Sequence, residues 1–151
     1  MNQQENISGK NRVLEILLIE DNPTDALLTR KTLGGIKLAN NVTVAEDGDK
    51  ALSILRREKP YESSPSPNVI LLDLNLPKKG GIAILQELKS DEKLRHIPVI
   101  ILTGSHTEAD VTKTYDLYAS GYIVKPINPE KFTDMIRTLM WNRTIQLFAN
   151  G

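Results

Sequence analysis

Acidic side chains stand directly after predicted buried strands, where carboxylates could take part in chemistry. The run "VILLD" ends on Asp73, and "ILLIED" ends on Glu20 and Asp21. Two further predicted strands end on polar residues, "IPVIILT" on Thr103 and "GYIVK" on Lys125. Taken singly, each has a plain structural interpretation as a solvated strand end or a helix cap. Their number and order along the chain indicate a site.

The elements that would position these residues alternate regularly. Apolar runs predict strands at 13–19, 41–46, 69–73, 97–103 and 122–124, and each is followed by a predicted helix. Several runs are aliphatic throughout, which is typical of a parallel sheet covered on both faces. With right-handed crossovers, the sequence predicts an α/β protein with a doubly wound, parallel five-stranded sheet of (βα)5 type in one domain.

The carboxyl ends of parallel strands lie at one edge of a sheet, so the acidic residues should meet there. In doubly wound sheets this edge is where ligands bind. Three nearby carboxylates repel one another unless a proton or a cation intervenes. Magnesium prefers oxygen ligands and retains waters that phosphate can replace. We therefore predict a Mg²⁺ site formed by Glu20, Asp21 and Asp73 with the backbone carbonyl of Asn75.

A carboxylate beside such a cation can act as a nucleophile. Asp73 could attack a phosphoryl group and form an acyl phosphate. Lys125 and the Thr103 hydroxyl could stabilise charge on the phosphoryl oxygens. Asp73 is therefore predicted to be a phosphorylation site, with Thr103 and Lys125 as its catalytic partners.

At these residues the sequence resembles a response-regulator receiver domain, over roughly residues 12 to 140. The resemblance is carried by the pair Glu20-Asp21, "LLDLNLPKKGG", "IPVIILT" and "GYIVKP". It implies a flavodoxin-like fold and phosphorylation of Asp73 by a partner histidine kinase in a two-component phosphorelay. It also implies a switch made of Thr103 and Tyr122, and a cis peptide bond between Lys125 and Pro126.

Three further features narrow the resemblance to a subfamily: the loops "YESSPSPNVILLDLNLPKK" and "LTGSHTEADV", and the C-terminal extension. They are similar to those of small regulators paired with bacterial and cyanobacterial phytochromes, which implies a phytochrome-type kinase as partner. We expect no effector domain beyond the receiver domain. We therefore expect a signalling protein that catalyses only its own phosphorylation and dephosphorylation and acts through a protein-interaction surface.

Three other functions deserve comparison. A phosphatase of the haloacid dehalogenase type needs an acid two residues after its nucleophile, where this chain has Asn75, which cannot donate a titrating proton. A flavin mononucleotide binder needs a phosphate-cradling loop after strand one, where "EDNPTD" instead begins with two adjacent carboxylates. A receiver that no longer accepts phosphate would lack an acceptor-site residue, and none is missing.

The chain ends suggest a division into three parts. Residues 1–11 are predicted to be a disordered segment, 12–140 the receiver domain, and 141–151 an extension of the last helix. In the last helix Trp141, Ile145 and Phe148 follow one another at helical spacing. Such an apolar patch usually marks an interface, so we predict a homodimer, with folding back onto the same domain as the alternative.

Composition excludes several other classes. Lys and Arg number 19 and Asp and Glu number 19, so no net field favours nucleic acid or a membrane surface. The chain has no cysteine, which excludes disulfides and thiolate metal sites. The N-terminal residues are polar and no apolar run approaches membrane-spanning length. We expect a cytoplasmic protein without nucleic-acid or membrane partners.

Overall fold

The computed structural model describes residues 13–77, 79–104 and 108–150, with the backbone alone for 108–111 and 141–150. Within these residues strands and helices alternate along the chain. The strands are β1 (Leu14–Ile19), β2 (Asn40–Ala45), β3 (Val69–Asp73), β4 (Val99–Thr103) and β5 (Gly121–Val124). The helices are α1 (Pro23–Gly34), α2 (Gly48–Leu55), α3 (Gly81–Ser90), α4 (Glu108–Asp116) and α5 (Pro129–Asn150).

The five strands form one sheet in the order β2-β1-β3-β4-β5, and every neighbouring pair is parallel. The chain winds from β1 to β2 in one direction and from β3 to β5 in the other, so the order reverses between β1 and β3. This confirms the predicted doubly wound, flavodoxin-like class. The reversal opens a crevice at the carboxyl ends of β1 and β3, and that crevice is the place where ligands bind in such sheets.

Alternate residues of the central strands divide the core into two clusters, one on each face of the sheet. Ile70 and Leu72 of β3 pack with buried residues of α2 and α3, such as Leu52 and Leu85. Val69 and Leu71 pack on the other face with residues of α1 and α5. All five residues of β3 and all five of β4 are buried. Burial on both faces explains why these strands are aliphatic throughout, and it makes them rigid supports for the residues at their ends.

Element boundaries differ from the predictions by one or two residues. The strand predicted from residue 97 begins at Val99, because Pro98 has no N–H group to donate to the ladder; its carbonyl accepts from Ile70 N–H at 2.9 Å. Helix α1 begins at Pro23, and the side chain of Asn22 caps it by accepting from Asp25 N–H at 3.0 Å.

The last helix continues beyond the core. Phe132 and Ile136 of α5 are buried, and the helical backbone runs on to Asn150. The predicted disordered segment, residues 1–11, lies outside the described residues, as do the side chains of Trp141, Ile145 and Phe148. In the described part of the chain, no helix combines the length and the apolar character needed to cross a lipid bilayer.

Candidate functional site

The end of β1 delivers two carboxylates with different surroundings. Glu20 follows the last residue of β1, and its N–H donates to the Ala45 carbonyl of β2 at 3.0 Å, which fixes its backbone. Its side chain is buried, whereas the next residue, Asp21, is exposed. One Glu20 oxygen, Oε2, accepts from Asn22 N–H at 3.3 Å. The site therefore has one desolvated and one solvated acid at adjacent positions.

The end of β3 brings Asp73 beside them. Asp73 is 2% exposed, and its Oδ1 accepts from Asn75 N–H at 2.9 Å. The loop beyond it returns closely, with Gly81 N–H donating to the Leu74 carbonyl at 3.2 Å. A Cβ on Gly81 would lie 2.7 Å from the Asp73 carbonyl oxygen, so only glycine fits there. The backbone thus holds Asp73 in one orientation at the bottom of the crevice.

Lys125 follows β5 and reaches across the crevice to three carboxylates. Its Nζ lies 2.8 Å from Glu20 Oε1, 3.0 Å from Asp73 Oδ2 and 3.1 Å from Asp25 Oδ2. The backbone N–H of Lys125 donates to the Thr103 carbonyl at 2.8 Å. The peptide bond between Lys125 and Pro126 is cis, as the resemblance implies. The ammonium is therefore the cation that holds this acidic cluster together.

Glu20, Asp21 and Asp73 each place a carboxylate oxygen within 4.8 Å of those of the other two. Glu20 Oε1 is buried and, although it is close to Lys125, it accepts no hydrogen bond from any described residue. A buried carboxylate oxygen whose neighbouring ammonium makes no hydrogen bond to it is costly, and a metal cation or a proton would offset that cost. The donor set consists of oxygens only, which suits a hard divalent cation. The residues present therefore fit a divalent metal ion.

The electrostatics of the cluster agree with this assignment. Burial, reinforced by the neighbouring Asp73, raises the pKa of Glu20 to about 7. Burial acts to lower the pKa of Lys125, but the neighbouring carboxylates of Glu20, Asp73 and Asp25 outweigh that effect and raise its pKa above the ordinary lysine value. Without a cation, Glu20 thus retains a proton at neutral pH more readily than an ordinary carboxylate, while Lys125 stays charged.

Thr103 and Tyr122 lie on adjacent strands and share one face of the sheet. Thr103 ends β4, is 5% exposed, and pairs with Val124 of β5; Ile101 pairs with Tyr122. Because side chains alternate along a strand, Thr103 is on the same side as Ile101 and hence as Tyr122. Tyr122 is half-buried, and its ring packs edge-on against Tyr115 of α4, with centroids 6.3 Å apart.

The structure thus gathers Glu20, Asp21, Asp73 and Lys125 at one point, with the N–H of Asn75 donating a hydrogen bond to Asp73. Sequence reasoning missed one member of the cluster, Asp25. Its contact with Lys125 joins residues that are 100 positions apart, and no local sequence pattern indicates such a contact. The sequence offers one sign that Asp25 could belong to the site. It is an acid in the first turn of a helix that begins at the edge of the sheet where the other acids lie.

A doubly wound sheet with a buried aspartate, two neighbouring acids and a lysine at its switch point defines a class of phosphoryl-accepting signalling domains. The chain belongs to the family of the response regulator receiver domain, which matches residues 16–137. It is thus a signalling protein of the kind that receives phosphoryl groups from histidine kinases and holds a divalent metal in its acidic pocket.

Individual relatives agree with this family. The chain is 39% identical over 136 residues to response regulator Rcp1 of Synechocystis sp., covering 89% of this chain and 92% of Rcp1. The bacteriophytochrome response regulator AtBRR has a solved structure that is 43% identical, with a TM-score of 0.75 over 83% of this chain and 91% of AtBRR.

Two further structures bear on the site. The phosphorylated cyanobacterial phytochrome response regulator RcpA is 38% identical, with a TM-score of 0.71 over 85% of this chain and 91% of RcpA. Rcp1 has been solved in a Mn²⁺-bound form, with a TM-score of 0.69 over 83% of this chain and 91% of Rcp1. This chain is therefore similar to a bacteriophytochrome response regulator, to a phosphorylated phytochrome response regulator and to a response regulator with bound Mn²⁺.

Proposed function

We propose that this protein accepts a phosphoryl group on Asp73 from a histidine kinase and passes the signal on through a changed protein surface. The observation that carries the proposal is the position of Asp73. It is buried at the carboxyl end of the central strand β3, with its Oδ1 on Asn75 N–H and its Oδ2 on Lys125 Nζ. A buried carboxylate whose two oxygens each accept a hydrogen bond keeps one orientation, and a fixed orientation suits it to a single reaction.

In the transfer step, an oxygen of Asp73 forms a bond to phosphorus while the bond from phosphorus to the kinase's histidine nitrogen breaks. The bonding electron pair stays with the imidazole nitrogen. Lys125, already 3.0 Å from Asp73 Oδ2, donates to a phosphoryl oxygen, and the Thr103 hydroxyl donates to another. Oriented donors of this kind lower the cost of the charge that moves onto those oxygens.

Glu20, Asp21, Asp73 and the carbonyl of Asn75 are the proposed ligands of Mg²⁺. When bound, the cation neutralises charge shared between these acids and the phosphoryl oxygens. The support from this chain is the set of oxygen donors and the buried Glu20 oxygen that accepts no hydrogen bond from the described residues. The Mn²⁺-bound form of Rcp1 supports a divalent ion in a relative.

The signal would leave the site through Thr103. Drawing its hydroxyl toward the phosphoryl group vacates space on the face that Thr103 shares with Tyr122, so that the Tyr122 ring can rotate inward. Such a step shifts an existing equilibrium between two conformations. The surface formed by α4, β5 and α5 would change with it, and Tyr115, in edge contact with Tyr122, belongs to that surface.

The partner kinase is proposed to be of the phytochrome type. Both AtBRR, a bacteriophytochrome response regulator, and RcpA, a phytochrome response regulator, are at least 38% identical to this chain. The protein would work in the cytoplasm through protein contacts, without nucleic acid. Apart from its own phosphorylation and dephosphorylation it would catalyse no reaction, because Asn75 occupies the position where phosphatases with a similar acceptor need a second acid.

We also propose a homodimer through the last helix. Trp141, Ile145 and Phe148 keep helical spacing because the backbone of α5 is helical to Asn150. Light scattering should give twice the monomer mass at micromolar concentration, and the variant Trp141→Glu should give the monomer mass. A monomeric wild-type protein at high concentration would contradict the dimer without affecting the phosphorylation scheme.

The phosphoryl proposal is tested by incubating the protein with a phytochrome-type histidine kinase and labelled ATP, or with acetyl phosphate, in the presence of Mg²⁺. Asp73→Asn should reduce uptake to the level of the protein-free blank, and EDTA should do the same for the wild type. The matched control is Asp49→Asn, which removes an exposed carboxylate that pairs with Lys79 and does not contact Lys125, and it should take up the wild-type amount. Uptake that survives both Asp73→Asn and EDTA would overturn the proposal.

A further inference from the structure

Asp25 lies beside the phosphoryl-acceptor site on a different element from the predicted ligands. It is in the first turn of α1, and its N–H donates to the capping side chain of Asn22 at 3.0 Å, which fixes its backbone. Its Oδ2 accepts from Lys125 Nζ at 3.1 Å, and its side chain is 39% exposed. Asp25 therefore lies on the rim of the crevice, held from one side by a helix cap and from the other by the lysine.

The three carboxylate partners of Lys125 differ in what else they must do. The Lys125 ammonium lies within ion-pair distance of the carboxylates of Glu20, Asp73 and Asp25, and it donates hydrogen bonds to Asp73 and Asp25. Glu20 and Asp73 belong to the acidic group that fits a divalent cation, and Asp73 is also the proposed acceptor. Asp25 is not part of that group. It is the partner whose carboxylate remains available to Lys125 after the other two are engaged.

A lysine side chain is long and flexible, and holding it in one place costs rotamer entropy. Once a cation competes for the oxygens of Glu20 and Asp73, the ammonium loses two of the three contacts that hold it. It would then be free to swing toward solvent, where it is strongly hydrated. A lysine that has swung away cannot donate to a phosphoryl oxygen at the moment of transfer.

We propose that Asp25 is a positioning residue, which holds the Lys125 ammonium over the acceptor when the cation and the phosphoryl group occupy its other partners. The proposal rests on the phosphorylation of Asp73 described above. Asp25 does not touch the reacting atoms; it acts through Lys125. It also makes α1 a direct contributor to the site, in addition to the strand ends.

The test compares Asp25→Asn with Asp49→Asn. Both variants remove one acid from the first turn of a helix, and both acids pair with a lysine, but Asp49 pairs with Lys79 and not with Lys125. At saturating Mg²⁺, Asp25→Asn should slow phosphoryl uptake from acetyl phosphate by about two- to fivefold, the range expected for a partly exposed ion pair. Asp49→Asn should leave the rate unchanged, and Asp25→Glu should recover at least part of it.

A second readout does not depend on phosphorylation. The ε-methylene signal of Lys125 in a carbon–proton NMR correlation spectrum, assigned with Lys125→Arg, reports whether the ammonium is anchored. In the wild type it should stay shifted from the free-lysine position with and without Mg²⁺. In Asp25→Asn it should stay shifted without Mg²⁺, because Glu20 and Asp73 remain, and move to the free-lysine position when Mg²⁺ is added.

Three results would contradict the proposal. A Lys125 signal unaffected by Asp25→Asn in Mg²⁺ would show that Asp25 does not hold the lysine. A faster rate in Asp25→Asn would show that Asp25 restrains the lysine and competes with the phosphoryl group. An unchanged rate would show that the anchoring has no consequence. If the wild type itself takes up no phosphoryl group, the proposed function fails instead, and the NMR result still decides the role of Asp25 at the lysine.

Discussion

Charged side chains gather in two regions of this molecule, and the two regions are built differently. The edge cluster consists of Lys125 and the four acids around it, Glu20, Asp21, Asp25 and Asp73. The surface network joins α2, α3 and the loop before α3, and consists of Arg56, Lys79, Asp49, Glu87 and Asp91. The edge cluster has one cation for four acids, whereas the surface network has two cations for three.

Burial separates the two regions more sharply than charge. The side chains of Glu20 and Asp73 in the edge cluster are 0% and 3% exposed. In the surface network, Lys79 is 38% exposed and its partner Asp49 is 81% exposed. Exposed ion pairs are screened and contribute little, while buried unbalanced charge is costly. The surface network therefore stabilises the fold only weakly. In the edge cluster, the buried excess of negative charge lowers the stability of the fold until a cation neutralises it.

The largest expected effect is the pH dependence of Mg²⁺ binding. Glu20 must lose its proton to bind the metal, and its pKa is raised to about 7. Affinity should therefore be constant above about pH 7 and fall about tenfold for each pH unit below it. Calorimetric titration between about pH 5 and 8 measures this. Glu20→Gln should bind more weakly and without that slope; a wild-type affinity that is flat across this range would contradict the role of Glu20.

In metal-free protein we expect a smaller effect, on the free energy of unfolding. Removing a carboxylate should raise this free energy at the edge cluster and lower it in the surface network. Because folding raises the pKa of Glu20 from 4.5 to about 7, the folded state binds the extra proton, and the stability that this proton provides is lost as pH rises from 4.5 to 7. At about pH 8 in EDTA, Glu20→Gln should therefore raise the free energy of unfolding, by about 1–3 kcal/mol.

The matched change in the surface network is Glu87→Gln, which removes a carboxylate that pairs with Lys79 and Arg56. It should lower the free energy of unfolding by at most about 1 kcal/mol, and the loss should shrink in about 1 M NaCl. Urea unfolding of both variants provides the comparison. Destabilisation of equal size in Glu20→Gln and Glu87→Gln would show that the two regions do not differ as described.

Much of the fold could be predicted from the sequence because burial leaves a local mark. The strands β3 and β4 are aliphatic up to their last residue, which is a predicted site residue, Asp73 or Thr103. Helix α1 shows the limit of local pattern. Leu27 and Leu28 are more than half exposed, and the buried side of the helix is formed instead by Ala26 and neighbouring residues. Helical spacing identifies a helix but does not say which side faces the sheet.

The site was predictable to the same extent. Glu20, Asp21, Asp73 and Lys125 were found because parallel strands bring their ends to one edge, a consequence of topology alone. The contact between Asp25 and Lys125 could not be found that way, because it depends on the reach of a lysine side chain and on the placement of α1 against the sheet. Likewise, the edge contact of Tyr115 with Tyr122 depends on how α4 packs beside β5.

We propose that Glu20, Asp21 and Asp73 at the edge of the sheet form one cation site, which makes Asp73 a phosphoryl acceptor. The most direct measurement is a crystal structure of the protein with Mg²⁺ and beryllofluoride, which imitates the phosphoryl group on a carboxylate. Beryllium should be bonded to an Asp73 oxygen, Mg²⁺ should be bound by Glu20, Asp21 and Asp73 directly or through water, and Lys125 Nζ should contact a fluorine. Beryllofluoride bound elsewhere, or an Asp73 carboxylate that remains unmodified beside bound Mg²⁺, would contradict it.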